Sequence, residues 1–237
     1  MTIRHILFDL DGTLLPMKQD DFTGYYLPLL AKAYTDRGIA IDKKEFIGAV
    51  WKSYKAMVKN DGSRTNREAF WEHFKEALPI AREEAEEIAL EFYDGDFNRT
   101  VCIASPTPLA DQAVKTAKQK GIEVYLATNP VFPRIATLNR IKWAGLDAED
   151  FKVITTYEDN RFCKPNPEYF RSILEAYELD PQECVMVGND VAEDLSIRTL
   201  GVRTFLLTDT MENRDNLAIH SEYAGSMEEL LAWIKAL

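Results

Sequence analysis

Cysteine is scarce in this sequence: Cys102, Cys163 and Cys184 are the only three in 237 residues. They are odd in number, far apart and outside any metal-binding spacing, which argues against a disulfide framework or a thiolate metal site. Thiols in a reducing compartment are the expectation. Long apolar runs are missing as well, and none approaches the roughly 20 residues that a membrane helix needs. The apolar start reaches Asp9 within a few residues, too short and too acidic for a signal peptide. Cytoplasmic placement is therefore expected. Positive charge is in deficit, with 28 Lys and Arg against 39 Asp and Glu, a net charge of −11. This argues against nucleic acid as a partner, and an anionic substrate would need local cations. Internal repeats and low-complexity tracts are absent. What remains is ordinary globular composition, 46% hydrophobic and 28% charged. The length suits one large domain, or one domain with an insertion.

The stretch His5-Ile6-Leu7-Phe8-Asp9-Leu10-Asp11-Gly12-Thr13 reads as a buried parallel strand that leaves the interior at Asp9. In open α/β sheets, sites form beyond the carboxyl ends of the strands. Asp9 and Asp11 are two apart and Gly12 permits a sharp turn. Two carboxylates this close repel unless a cation or a proton intervenes, so the pair is either a metal site or an acid/base pair. The plain alternative is an acidic, solvated turn.

From Asp21 to about Phe97 there is only helical periodicity. Tyr25, Tyr26, Leu29, Leu30, Ala33 and Tyr34 share one predicted face, and Phe46, Ile47, Val50, Trp51, Tyr54 and Met57 another. Asp42 and Thr65 read as helix caps, the latter in a capping box with Glu68. A fourth helix is predicted over Arg82 to Tyr93. Four helices on short loops read as a small antiparallel bundle. From Val101 strands and helices alternate. Strands are predicted over Ile122–Ala127, Val153–Thr156, Cys184–Val187 and Thr204–Leu207. Helices are predicted after Thr107, Pro133, Asn166, Asp190 and Ser226. This alternation implies an α/β fold with a doubly wound parallel sheet. The expected division is a core of residues 1–16 and 99–237, with residues 17–98 inserted as a helical cap able to close over the sheet edge.

Three more strand ends carry candidate chemistry. Thr128 and Asn129 offer neutral donors suited to phosphate oxygens, although both residue types also make ordinary turns. Lys164, ahead of Pro165 and Pro167, can hold a positive charge at a fixed place; a lone lysine is more often a solvated one. Asp190 and Asp194 are one helical turn apart, in a pattern that suits Mg²⁺ with open positions or simply an acidic helix start.

Taken together and in this order, these residues resemble the haloacid dehalogenase-like hydrolase superfamily over nearly the whole chain. Asp9-Leu10-Asp11-Gly12-Thr13 matches the first motif, Thr128 the second, Lys164 the third, and Asp190 with Asp194 the fourth. The inserted helices resemble the cap of the subfamily that includes phosphoglycolate phosphatase and β-phosphoglucomutase. One departure is Gly188-Asn189-Asp190, where many relatives have Gly-Asp, which leaves Asn189 or Asp190 as the direct metal ligand. The resemblance implies a Mg²⁺-dependent phosphatase acting on a small phosphorylated metabolite through an aspartyl-phosphate. Asp9 is then the nucleophile and Asp11 the proton carrier. Asp9, Asp11 (through its carbonyl) and Asp190 serve the metal, with Asp194 holding metal-bound water or orienting Lys164. Thr128, Asn129 and Lys164 bind the phosphoryl group. A phosphomutase shares these residues. Dehalogenation would not need Asp11, a phosphonate hydrolase would need a cap lysine such as Lys52, Lys55 or Lys59, and a non-catalytic binding protein could keep the fold. For substrate contacts, Phe22 to Tyr26, Arg64, Arg67, Arg134 and Arg161 are the candidates.

Overall fold

The computed structural model describes residues 2–237. Five parallel strands form one sheet in the order β2-β1-β3-β4-β5: β1 His5–Phe8, β2 Glu123–Leu126, β3 Cys184–Gly188, β4 Arg203–Leu207 and β5 Tyr223–Gly225. The central strands are apolar on both sides, as a sheet covered by helices on both faces requires. Alternation sends Ile6, Phe8, Val185 and Val187 into one core and Leu7, Cys184 and Met186 into the other. Helices α5 (Pro108–Gln119) and α8 (Met227–Ala236) supply Ala110, Val114, Leu230 and Ile234 to the first core. Helix α7 (Pro167–Ala176) supplies Tyr169, Phe170 and Ile173 to the second. Strand order reverses between β1 and β3, and a crevice opens at such a switch point beyond the strand ends. Asp9 stands there: its N–H reaches the Val187 carbonyl at 2.9 Å, while Phe8 on its other side accepts from Ala127 at 2.8 Å.

Between β1 and α5 lie helices α1 (Gln19–Asp36), α2 (Lys43–Val58), α3 (Asn66–Phe74) and α4 (Arg82–Asp94), then a 3-10 helix, Asp96–Ile103. The Thr65–Glu68 capping box forms as expected, and Asp42 caps α2 by accepting from the amides of Lys44 and Glu45. Tyr34, Phe46 and Phe74 make the bundle's centre, with ring centroids 4.9 and 5.4 Å apart. The buried face of α1 is Phe22, Tyr26, Leu27, Leu30, Ala31 and Tyr34, rotated from the predicted face so that Tyr25 and Leu29 are half-buried. Phe22 draws the helix round by packing edge-on against Phe97 and Phe132.

Three local features differ from the sequence expectation. Val153–Thr156 makes a single bridge, Ile154 to Leu126, rather than a strand. It bonds β2 only around Leu126, through the Val153 carbonyl and the Thr155 amide, and the pairing stops where the Thr156 amide donates to Asn160 Oδ1 instead. The segment after Asp190 is a turn followed by a 3-10 helix, Asp194–Leu200, because the Asp194 carboxylate folds back onto the amides of Asn189 and Asp190. Strand β5 is three residues long at the sheet edge, too short to show periodicity.

The insertion is hydrogen-bonded to the strand-bearing part at the start of α3. Two of that helix's orphan amides, Asn66 and Arg67, donate to the carbonyls of Asn160 and Tyr157, both at 2.8 Å. The fully buried Asn66 side chain donates to the Pro130 carbonyl at 3.1 Å and accepts from Asn60 at 3.0 Å. Removing it leaves those groups unsatisfied. Asn66→Ala is therefore expected to lower the free energy of unfolding by about 1–3 kcal/mol, read from the shift in a urea denaturation midpoint.

Candidate active site

Lys164 is a fully buried ammonium. It donates to Asp9 Oδ1 at 2.9 Å and to Asp194 Oδ1 at 2.6 Å. Burial works against its charge, but Asp194 and Asp9 outweigh burial and hold it well above the usual lysine range. Asp194 is bonded through both oxygens, since Oδ2 accepts the amides of Asn189 and Asp190, each at 3.0 Å. Gly188 leaves the room this needs: a Cβ there would lie 2.2 Å from Asp194 Oδ2. Burial pushes the Asp9 carboxyl up to about 7, with Lys164 pulling against it.

Asp11 is paired differently. Its Oδ2 accepts from Arg140, a fully buried arginine on helix α6 (Arg134–Trp143). The guanidinium lies 4.2 Å above the Phe132 ring and also bonds Thr137 Oγ1 at 3.2 Å. Asp11 Oδ1 is buried and has no hydrogen-bond partner among the described residues. Burial raises this carboxyl above its ordinary range, against Arg140 and Lys164. The sequence did carry a sign of Arg140: Ala136, Arg140 and Ala144, four apart, share the buried face of α6.

Asp9, Asp11, Thr128, Asn129, Asn189, Asp190, Glu193 and Asp194 converge on the floor of a cavity of about 330 Å³ under helices α1 and α2. Lys164 is outside the lining, behind Asp9 and Asp194. Asn129 bridges neighbouring loops: it donates to Glu193 at 2.9 Å and accepts from the Lys164 amide at 3.2 Å. Burial and nearby acids push Glu193 up to about 8, with Lys164 opposing. Asn189 accepts from Thr13 Oγ1 at 3.0 Å and donates to the Thr210 carbonyl at 2.9 Å, so its amide ties the turn after β1 to the loop after β4. Asp190 Oδ1 accepts the amides of Ala192 and Glu193, each at 2.8 Å. Among the described residues, no three His, Cys, Asp or Glu side chains are gathered as a ready metal cluster.

Of the substrate-contact candidates, Thr23 and Tyr26 of the Phe22–Tyr26 stretch line the cavity, whereas the four arginines do not. Arg64 pairs with Glu72, Arg67 with Glu86, Arg134 with Asp159, and Arg161 with the Gly62 carbonyl. Arg214, which sequence reading passed over, does line it, bonded to Asp20 at 2.9 Å and Glu212 at 3.0 Å. Only its place on the loop after β4, opposite α1, reveals it.

A model of the haloacid dehalogenase-like hydrolase family matches residues 3–201. The chain belongs to this family. It is 25% identical over 215 residues to the pyrophosphatase PpaX of Halalkalibacterium halodurans, covering 91% of this chain and 88% of that one. A phosphatase of the same family from Thermococcus onnurineus superposes with a TM-score of 0.62 at 21% identity, covering 98% of both chains. The magnesium-bound hydrolase YfnB of Bacillus subtilis gives 0.59 at 20% identity, covering all of both chains. These two likenesses establish the fold, a parallel α/β sheet with helices.

The buried ion triad gives a stability prediction. Lys164→Met leaves two carboxylates buried without their cation. It is expected to cost about 3–5 kcal/mol in unfolding free energy, against less than about 1 kcal/mol for a solvated pair. Chemical denaturation of the purified variant and its parent distinguishes the two.

Proposed function

We propose that this chain is a Mg²⁺-dependent phosphatase that hydrolyses a small phosphomonoester through an aspartyl-phosphate. The observation that carries this reading is the buried Asp9–Lys164–Asp194 triad at the sheet's switch point, with Asp11 two residues on and both aspartates facing one cavity. Family membership supports hydrolase chemistry. The names of relatives such as the PpaX pyrophosphatases support phosphorus as the centre attacked. The division into a core of residues 1–16 and 99–237 and a cap of residues 17–98 belongs to the same reading, the second crossing running through the 3-10 helix Asp96–Ile103.

In this reading Asp9 is the nucleophile. Its Oδ1 is held by Lys164, which leaves Oδ2 to attack phosphorus in line. The phosphorus–oxygen bond to the alcohol breaks, and Asp11 gives the leaving oxygen its proton. Asp11 then takes a proton from the water that hydrolyses the phosphorylated Asp9. Because Arg140 occupies Oδ2 of Asp11, the unpartnered Oδ1 is the atom that carries this proton. Thr128 and Asn129 border the phosphoryl site, and Lys164 supplies charge from behind Asp9.

The floor fits Mg²⁺ chemically. Its donor set is of oxygen, with the carboxylates of Asp9 and Asp190 both facing the cavity. Mg²⁺ commonly takes only one or two carboxylates and fills its other positions with water and substrate phosphate, so a three-acid cage is not required. Asp9, the Asp11 carbonyl and Asp190 would hold it. Asn189 is committed to Thr13 and Thr210, and Asp194, bonded through both oxygens, is read as the residue that orients Lys164. Bound there, the cation offsets repulsion between an anionic nucleophile and an anionic substrate. Among the described residues no helix is long and apolar enough to cross a membrane. With a net charge of −11, this supports a cytoplasmic enzyme acting on a small metabolite rather than on nucleic acid or at a membrane.

With 4-nitrophenyl phosphate and Mg²⁺, the parent should release phosphate and chelation should stop it. Asp9→Asn should lose activity by about a thousandfold or more, and Asp11→Asn by about 10²–10⁴-fold. Undiminished release by Asp9→Asn would remove the nucleophile assignment. Independently of turnover, Mg²⁺ should raise the thermal midpoint of the parent, as any ligand of the folded state does, and much less that of Asp190→Asn. Differential scanning fluorimetry over a Mg²⁺ titration measures this.

A further inference from the structure

The cavity has two chemically distinct ends. Its floor is acidic and polar. Its walls and roof, built by α1, α2 and the Val131–Phe132 turn, are largely apolar: Leu27, Leu30, Val50, Trp51, Met57 and Phe132 line it, with the uncharged Gln19 and Thr23 at the first turns of α1. Tyr26, Tyr54 and Tyr93 complete this surface. Burial raises all three hydroxyls above the ordinary phenol range, so they are neutral at physiological pH. They present ring faces and uncharged hydroxyls rather than charge.

Cations are nearly missing from the lining. Among the described residues Arg214 is the only basic side chain there, against the acids Asp9, Asp11, Asp190, Glu193, Asp194 and Glu212. Arg214 is 56% exposed and already bonded to Asp20 and Glu212. Cap residues Lys52, Lys55 and Lys59 are exposed and outside the lining. A substrate with a second anionic group would therefore set that group against apolar and aromatic walls with no free counter-ion. Burying a charge in such surroundings is strongly unfavourable, whereas an apolar group gains by leaving water there.

We infer that the alcohol part of the substrate is uncharged and largely apolar, about the size of one ring or a short branched chain. The phosphoryl group would sit on the carboxylate floor and the apolar group between Leu30, Trp51, Met57 and Phe132. A volume of about 330 Å³ is at the small end for ligand sites and sets this limit. The inference rests on the phosphatase reading and narrows it. It also separates this chain from relatives named pyrophosphatases, because inorganic pyrophosphate would bring a second phosphate against the apolar wall.

The test compares three alkyl phosphates, whose alcohol leaving groups are of similar chemistry, with pyrophosphate, whose phosphate leaves more readily and so sets the stricter comparison. Phosphate release with Mg²⁺ is measured for phenethyl phosphate, glycerol phosphate, phosphoglycolate and pyrophosphate. Phenethyl phosphate should exceed each of the others by about tenfold or more in kcat/KM. Equal or higher values for phosphoglycolate or pyrophosphate overturn the inference while leaving the phosphatase reading intact. If no phosphate ester is turned over, the phosphatase reading fails, and binding alone decides the cavity's preference. In calorimetric titrations with Mg²⁺ present, phenylpropylphosphonate should then bind about tenfold more tightly than phosphonoacetate; the reverse order overturns the inference. Two variants sharpen the result. Trp51 is 41% exposed, so Trp51→Ala spares the core and should shrink the apolar preference several-fold. Thr23→Arg, which adds a cation to the half-buried α1 wall, should narrow the ratio further toward phosphonoacetate. A ratio unchanged in both variants, with circular dichroism showing them folded, also overturns it.

Discussion

The site is built on one buried ammonium. Lys164 is fully enclosed and can stay charged there only because Asp9 and Asp194 face it at hydrogen-bond distance. The dependence runs both ways. Asp9 needs the cation to remain ionised in a site whose burial drives its carboxyl toward neutrality. Asp194 needs it to justify a carboxylate at 1% exposure. Each member comes from a different segment, so the triad fixes the relative positions of the chain after β1, the chain after β3 and the Lys164 turn. The tight turn after Asp190 follows from the same contact, since Asp194 must fold back to reach Lys164 and the strand-end amides together.

A second buried pair, Asp11 with Arg140, sets the difference between two carboxylates only two residues apart. One is held by a lysine shared with a third acid, the other by an arginine stacked on Phe132. Neighbouring acids acquire different roles when their surroundings differ in this way. Phe132 also belongs to the aromatic group that seats α1, through Phe22 and Tyr26. The ring that supports Arg140 is therefore part of the contact between insertion and sheet, and the polar floor and apolar roof meet at that one residue.

Closure of the cavity depends on two joins, one of backbone polarity and one of charge. The first turn of α3 gives its orphan amides to carbonyls of the Tyr157–Asn160 turn, and Asn66 fills the space between them. Arg214, bonded to Asp20 at the start of α1, spans the opposite side. With both connections made, the helices present a roof of apolar side chains over carboxylates, and the contrast between the two surfaces limits what can be bound.

Legible in the sequence were the alternation of strands and helices outside Val153–Thr156 and β5, the helix starts at Thr65, Thr107, Asn166 and Ser226, the buried β1 and the exit of Asp9 from it. The sequence also placed Thr128, Lys164, Asp190 and Asp194 at strand ends or turns. These are local properties: periodicity, capping chemistry and proline positions act over a few residues and are legible there. Where local patterns were weak, in the three-residue β5 and around Ile154, legibility failed. Only the tertiary structure decided the pairings, because Lys164 and Asp9 are 155 positions apart and Arg140 and Asp11 129. The alanines four residues either side of Arg140 hint that it faces inward, but nothing local names Asp11 as its partner. The same holds for the cavity wall. Amphipathic periodicity shows that a helix has an apolar face, but packing against Phe97 and Phe132 decided how far α1 turned and which of its side chains look down on the carboxylates.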